Sequence, residues 1–149
     1  MPAAVIQLKP GEEHNEYQYQ RHDLGTKAVT QDGRVYRYGK MGAVVGVAGN
    51  LYQGALPVAH LTNIACDVVR AVGATQISAT DGGTGAGVDD FAEGYVTVND
   101  AAGQGHLYVI NRDYRSGDGH AVAASGAVLT VNITHPVKVA LTTASEVTF

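Results

Sequence analysis

The stretch Gly94–Ile110, GYVTVNDAAGQGHLYVI, constrains the fold of this chain more than any other. Val96 and Val98 fall on one side of an extended strand, and Tyr95, Thr97 and Asn99 on the other. Leu107 and Val109 alternate in the same way with Tyr108 and Ile110. Between the two runs lies Asp100–Gly105, a turn of small and polar residues. Strand side chains alternate between faces with a period of two, so two alternating runs around a Gly-rich turn mark a hairpin. The segment predicts β structure.

The rest of the chain repeats the pattern in shorter pieces. Thr26–Thr30 and Arg34–Tyr38 flank Gln31-Asp32-Gly33, and Asp-Gly between β-prone runs predicts a second hairpin. Ala43–Val47 and Leu51–Ala55 flank Ala48-Gly49-Asn50 and predict a third. Ile64–Val72 fits a helical face with Thr62 or Asn63 as its cap, and also a strand running into Gly73-Ala74. Strand is the preferred reading. Gln76–Thr80 alternates as a strand, and Asp81–Gly87 reads as a flexible loop. Asn111–Ser125 is polar and Gly-rich and reads as an exposed loop. Ala127–Ile133, Val137–Leu141 and Glu146–Phe149 complete the strands, with Pro136 between two of them, where its missing N–H costs least. Many short strands with frequent turns predict an all-β fold, a small β-barrel or β-sandwich of antiparallel strands.

Met1–Gln20 differs from the rest of the chain. It holds Pro2, Pro10, Gly11 and a polar run, Glu12–Glu16, and offers few apolar side chains beyond Val5, Ile6 and Leu8. It reads as an extended N-terminal arm over residues 1–20, ahead of a single β domain over 21–149. An arm ordered by docking and a frayed terminus fit it equally. An extended segment adds readily to an exposed sheet edge. Val5, Ile6, Leu8, Tyr17 and Tyr19 are accordingly the candidate partner contacts.

Charge and chemistry narrow the function. The 149 residues carry 45% hydrophobic and only 16% charged side chains, against about 25% charged in ordinary soluble domains. A surface so poor in charge suits a protein whose faces are covered by partners. The net charge of −4 and the scattered Lys and Arg argue against nucleic acid as a partner. A single cysteine, Cys66, allows no intrachain disulfide and fits a reducing compartment. It reads as a small buried hydrophobe. The most apolar run, Ala43–Ala48, is too short to cross a membrane. The Gly-x-Gly-x-Gly spacing in Gly82–Gly87 lacks the Lys-Ser or Lys-Thr of a phosphate loop. The histidines at 14, 22, 60, 106, 120 and 135 have no metal-ligand spacing. Asp89, Asp90 and Glu93 do not form a calcium loop, and no Gly-x-Ser-x-Gly elbow is present. No motif supports an enzyme, and no cofactor or metal is expected.

Three passages, in order, carry a resemblance. Leu24–Leu51 combines an Asp-Gly turn, the aromatic and basic strand Arg34–Tyr38 and Gly- and Ala-rich runs. Ala71–Thr80, AVGATQISAT, is a small-residue turn into a strand. Phe91–Ile110 leads from Ala92-Glu93-Gly94-Tyr95 into the hairpin, and PVKVALTT over Pro136–Thr143 closes the series. The chain resembles the decoration, or cement, proteins of tailed-phage capsids over most of residues 24–149. The resemblance implies a structural virion protein, assembled in the host cytoplasm. It would bind the outer surface of a phage head and stabilise contacts between major capsid subunits, commonly as a homotrimer. It brings no catalytic residues. The alternative is a carbohydrate-binding β module of a head fibre or tail, with exposed Tyr stacking on sugar rings, a reading weakened by the absence of Trp.

Overall fold

The computed structural model describes residues 5–42, 44–47, 49–54, 56–83, 85–86, 90–111 and 126–149. It is all-β: nine short strands and two 3-10 turns, Glu12–His14 and Ala59–Leu61, with no α-helix among the described residues. No helix among the described residues is long and apolar enough to cross a membrane. The chain divides into two compact units, Met1–Gln53 and Gly54–Phe149. The division does not fall at the expected arm boundary near residue 20.

The first unit is a three-stranded sheet. Strand β1 (Ile6–Leu8) runs parallel to β2 (Lys27–Thr30), pairing Ile6 with Ala28 and Leu8 with Thr30. Strand β3 (Val35–Arg37) pairs antiparallel with β2, across the turn that Asp32-Gly33 predicts. Gly33 takes φ +85° there, a conformation open to glycine and costly for most residues. The apolar part of the expected arm is thus a strand of this sheet. The expected strands over Ala43–Val47 and Leu51–Ala55 do not form among the described residues. Their apolar runs do not alternate, and no neighbouring strand takes up their main chain.

The second unit holds the core. Strand β4 (Ile64–Ala65), β5 (Gln76–Thr80), β6 (Tyr95–Asp100), β7 (Leu107–Val109), β8 (Val128–Asn132) and β9 (Glu146–Thr148) form two antiparallel groups, β4-β9-β6-β7 and β5-β8. Single bridges join the groups at both ends. Cys66, just past β4, pairs with Ala79 of β5, and Ile110, just past β7, pairs with Ile133, just past β8. Neighbour follows neighbour from β5 through β8, β7, β6, β9 and β4 back to β5. The pairing returns to its start without forming a closed barrel of continuous ladders.

Register decides which side chains face inward. Ile77 lies opposite Val131 and Ala79 opposite Leu129, and all four are fully buried. Val96 lies opposite Tyr108. Cross-strand partners share a face, so Tyr108 and Ile110 are buried while Leu107 and Val109 point outward. The Tyr108 hydroxyl keeps a partner inside by accepting the Lys138 N–H at 3.2 Å, as a buried phenol requires. The β6–β7 turn closes on Gly103, at φ +86°, where a Cβ would lie 2.6 Å from a Leu141 methyl.

Three other expectations change. Only Ile64–Ala65 of the Ile64–Val72 run is strand, after which Asp67 and Val68 bend away and Arg70 makes one bridge to Leu141. Val68, Val69 and Val72 are left exposed. Val137–Leu141 is not a strand, although Val137 and Leu141 are buried at its ends. Of the Asp81–Gly87 loop, Asp81 and Ala86 are buried, and Ala86 joins the core. The Asn111–Ser125 loop lies outside the described residues beyond Asn111.

Cys66 is buried at 3% exposure. Burial pushes its thiol up from the ordinary range, and the neighbouring Asp67 carboxylate adds to this against the opposing Arg70. The folded chain therefore keeps this proton to higher pH than the unfolded chain. Stability from this group is full below the ordinary thiol value of about 8.5 and is lost as pH rises through the raised one. A thiol reagent at pH 8 should label the unfolded chain rapidly and the native chain far more slowly. Equal labelling rates would show that Cys66 is not held as described.

Candidate interaction surface

The first unit is assembled from polar fastenings rather than from a core. Only Ala28 and Thr30 are buried in it among the described residues. Arg34, leaving the Asp32-Gly33 turn, is the hub of these fastenings. Its Nε donates to Asp32 at 2.7 Å, Nη2 to Glu13 at 3.2 Å and Nη1 to the Tyr36 hydroxyl at 2.8 Å. The Glu13 bond ties the N-terminal segment to the hairpin. Hydrogen bonds from the Thr30 hydroxyl and then from Arg34 hold the Asp32 carboxyl below its usual range. Main-chain N–H groups, Glu13's own first and then Gly11's, and the Arg34 charge do the same for Glu13.

The candidate contacts of the arm do not converge. Val5 is half exposed at the open end of β1, while Ile6 and Leu8 are half-buried in their pairing with β2. Tyr17 is covered on one ring face by the Arg21 guanidinium, 4.1 Å from the ring centre. Tyr19 is 78% exposed. A ring capped by a cation offers only its other face to a sugar, whereas Tyr19 is open to solvent.

A second surface, which no sequence motif marks, lies among the described residues of the segment 41–52, from which 43 and 48 are left out. Val44, Val45 and Val47 are 75%, 77% and 58% exposed, and Leu51 is fully exposed at 101%. The segment is nonetheless braced. The Met41 side chain lies over Gly46, close enough that a Cβ there would meet its Cε at 3.3 Å. The Val47 N–H donates to the Tyr52 hydroxyl at 2.5 Å, and Asn50 N–H donates to the Val47 carbonyl at 3.2 Å. The legible signal is charge: from Met41 to Cys66 the sequence contains no Asp, Glu, Lys or Arg.

Polar clusters in the second unit lock the fold. Asp81 is fully buried. Its main chain is held by N–H donation to Ala127 and by acceptance from Gly126, both at 2.9 Å. Its Oδ1 accepts the Gly83 N–H at 2.8 Å and lies 3.5 Å from His60 Nε2. A Cβ on Gly83 would overlap the His60 ring at 2.2 Å, so glycine is needed for the ring to sit there. Ser78, also fully buried, bonds to both Asp67 and Arg70. His106 stacks on Tyr108; in the first unit His22 meets Tyr38 edge-on. No group of three or more His, Cys, Asp or Glu among the described residues could hold a metal ion. A shallow open groove is lined by Leu56, Pro57, Val58, Asp90, Phe91 and Phe149.

No protein-family model matches this chain, nor does any curated protein or solved structure.

Because the core cluster lies wholly between Leu61 and Val147, removing residues 1–16 should leave the melting of the second unit unchanged. It should loosen the first unit, which loses β1 and the Glu13–Arg34 bond. Hydrogen exchange of the two units checks this. Faster exchange in β5 and β8 of the truncated chain would contradict it.

Proposed function

We propose that this chain is a structural virion protein that binds the outside of a phage head and holds neighbouring major capsid subunits together, working as a homotrimer. The observation that carries this reading is the first unit's surface. Among the described residues, eleven large apolar side chains there are exposed, against two residues buried. A unit of this size with so little buried surface ordinarily gains stability by association. A surface of this kind marks an interface rather than a solvated face. The resemblance carried by the ordered passages over residues 24–149 supplies the particular assembly. Three linked copies gain avidity on a lattice without any new type of contact.

Mass spectrometry of purified virions tests the proposal. The expected result is a copy number comparable to that of the capsid subunits, with the protein removable under mild denaturant and rebinding to stripped capsids. A few copies per particle would point instead to a fibre or tail component.

A further inference from the structure

We propose that Asp32-Gly33 is a self-modification site: its peptide bond migrates to the Asp32 side chain, giving isoaspartate, whenever the β2–β3 turn opens. The inference does not rest on the virion reading.

The chemistry needs no reagent but water. The Gly33 main-chain nitrogen attacks Cγ of the un-ionised Asp32 carboxyl group and gives up its proton, and a carboxyl oxygen leaves as water. A cyclic imide results. Water then adds to one of the two imide carbonyl carbons, and the C–N bond at that carbon breaks. Addition at the side-chain carbon restores aspartate. Addition at the main-chain carbon leaves the chain running through the Asp32 side chain, as isoaspartate of unchanged mass. Glycine favours ring closure because it has no Cβ to crowd the approach. Asp-Gly occurs at residues 32, 81 and 118 and Asn-Gly nowhere in the sequence; residue 118 lies outside the described residues.

The closed turn withholds both reacting groups. Asp32 Oδ1 accepts from the Thr30 hydroxyl and, at 3.4 Å, from the Arg34 N–H, while Oδ2 accepts from Arg34 Nε at 2.7 Å. Donors of this kind favour the ionised carboxylate, which the nitrogen does not attack. The Gly33 N–H donates to the Thr30 carbonyl at 3.0 Å, so the nucleophile must break a hydrogen bond before it can turn on Cγ. Every one of these bonds lies within residues 30–34, so opening the turn releases acid and nucleophile together.

Asp81-Gly82 is the same dipeptide in the opposite setting. Asp81 is fully buried, and its main chain is tied to Gly126 and Ala127. It belongs to the unit that holds the whole core cluster, so its imide waits on the unfolding of that unit. Around Asp32 only Ala28 and Thr30 are buried among the described residues of the first unit, and segments with few buried contacts open at low cost. Isoaspartate also lengthens the main chain inside a tight turn. The turn sets the β2–β3 register, so conversion holds the hairpin open.

The test incubates the full chain in buffer, in urea short of unfolding the second unit, and in unfolding urea. A protease that cuts before aspartate but not before isoaspartate then reads each site. Conversion at Asp32 should be at least tenfold faster in mild urea than in buffer, with Asp81 unconverted until the second unit unfolds. In the native chain, acid should speed conversion only at a lower pH than in the unfolded chain, because the Thr30 hydroxyl and then Arg34 keep the Asp32 carboxyl ionised. T30V/R34Q should bring the native rate toward the unfolded one. If that variant loses its fold, Thr30→Val alone should give a smaller rise in the same direction. Equal rates at Asp32 in buffer and in unfolding urea, conversion of Asp81 in step with Asp32, or no isoaspartate at position 32 under any condition would overturn the inference.

Discussion

Leu129→Ala should lower the free energy of unfolding by about 3–5 kcal/mol. Leu129 is fully buried on β8, and its cross-strand partner is Ala79, which is fully buried as well. A methyl side chain opposite cannot swell into the space, and both strands are held by their ladder on either side. The cavity therefore stays open, which is the condition for a loss at the upper end of the range. Typical domains have only about 5–15 kcal/mol in all, so the variant should be marginal. Leu51→Ala is the contrast: that side chain is fully exposed, and the change should stay within about 0.5 kcal/mol. Urea unfolding followed by circular dichroism measures both. A Leu129→Ala loss below about 1 kcal/mol, far under the usual cost of a core cavity, would mean that β5 and β8 do not enclose the core as described.

Removing His60 should also be damaging, because the ring covers a buried carboxyl group. Asp81 is fully buried, and its Oδ2 has no hydrogen-bond partner among the described residues. His60 Nε2, itself without a hydrogen-bond partner among them, lies 3.5 Å from Oδ1 and is the nearest polar side chain to it. Leaving a buried polar group without its neighbour costs about 1–3 kcal/mol. The middle of that range applies here, because the His60 side chain is 24% exposed and water can enter part of the space. His60→Ala should thus cost about 2 kcal/mol. Adding Asp81→Asn to it should restore much of the loss, since the amide keeps an acceptor for the Gly83 N–H and carries no stranded charge. The double-mutant cycle reads the coupling directly. A neutral His60→Ala, or a double variant no better than the single one, would refute this account.

The parts of the fold legible in the sequence are those where periodicity and turn chemistry agree. Tyr95–Asn99 and Gln76–Thr80 alternate next to glycine-rich turns, and both become strands. Ala43–Val47 is as apolar but does not alternate, and β-propensity without a neighbouring strand to pack on settles nothing. On β7 the alternation is visible but not its sense. Tyr108 goes inward because register places it opposite Val96, and in a hairpin the turn type and loop length fix that register. The burial of Asp81 is illegible, because its partner His60 lies 21 positions earlier in the chain. The exposed loop is half legible: its lack of charge stands in the sequence, whereas its bracing by Tyr52 and Met41 exists only in three dimensions.

Strand β9 has a further consequence, for the order of events during synthesis. It lies between β4 and β6, pairing Val147 with Ile64 on one side and with Val98 on the other. Both partners leave the ribosome well before residue 146 exists. Until then β4 and β6 carry unpaired main chain, and the circuit of strands is open at its middle. The second unit therefore completes its fold only once β9 has been translated, through contacts between distant residues of the kind that form slowly. A chain stopped before β9 would carry these two open edges, which makes this three-residue strand the element on which completion of the second unit waits.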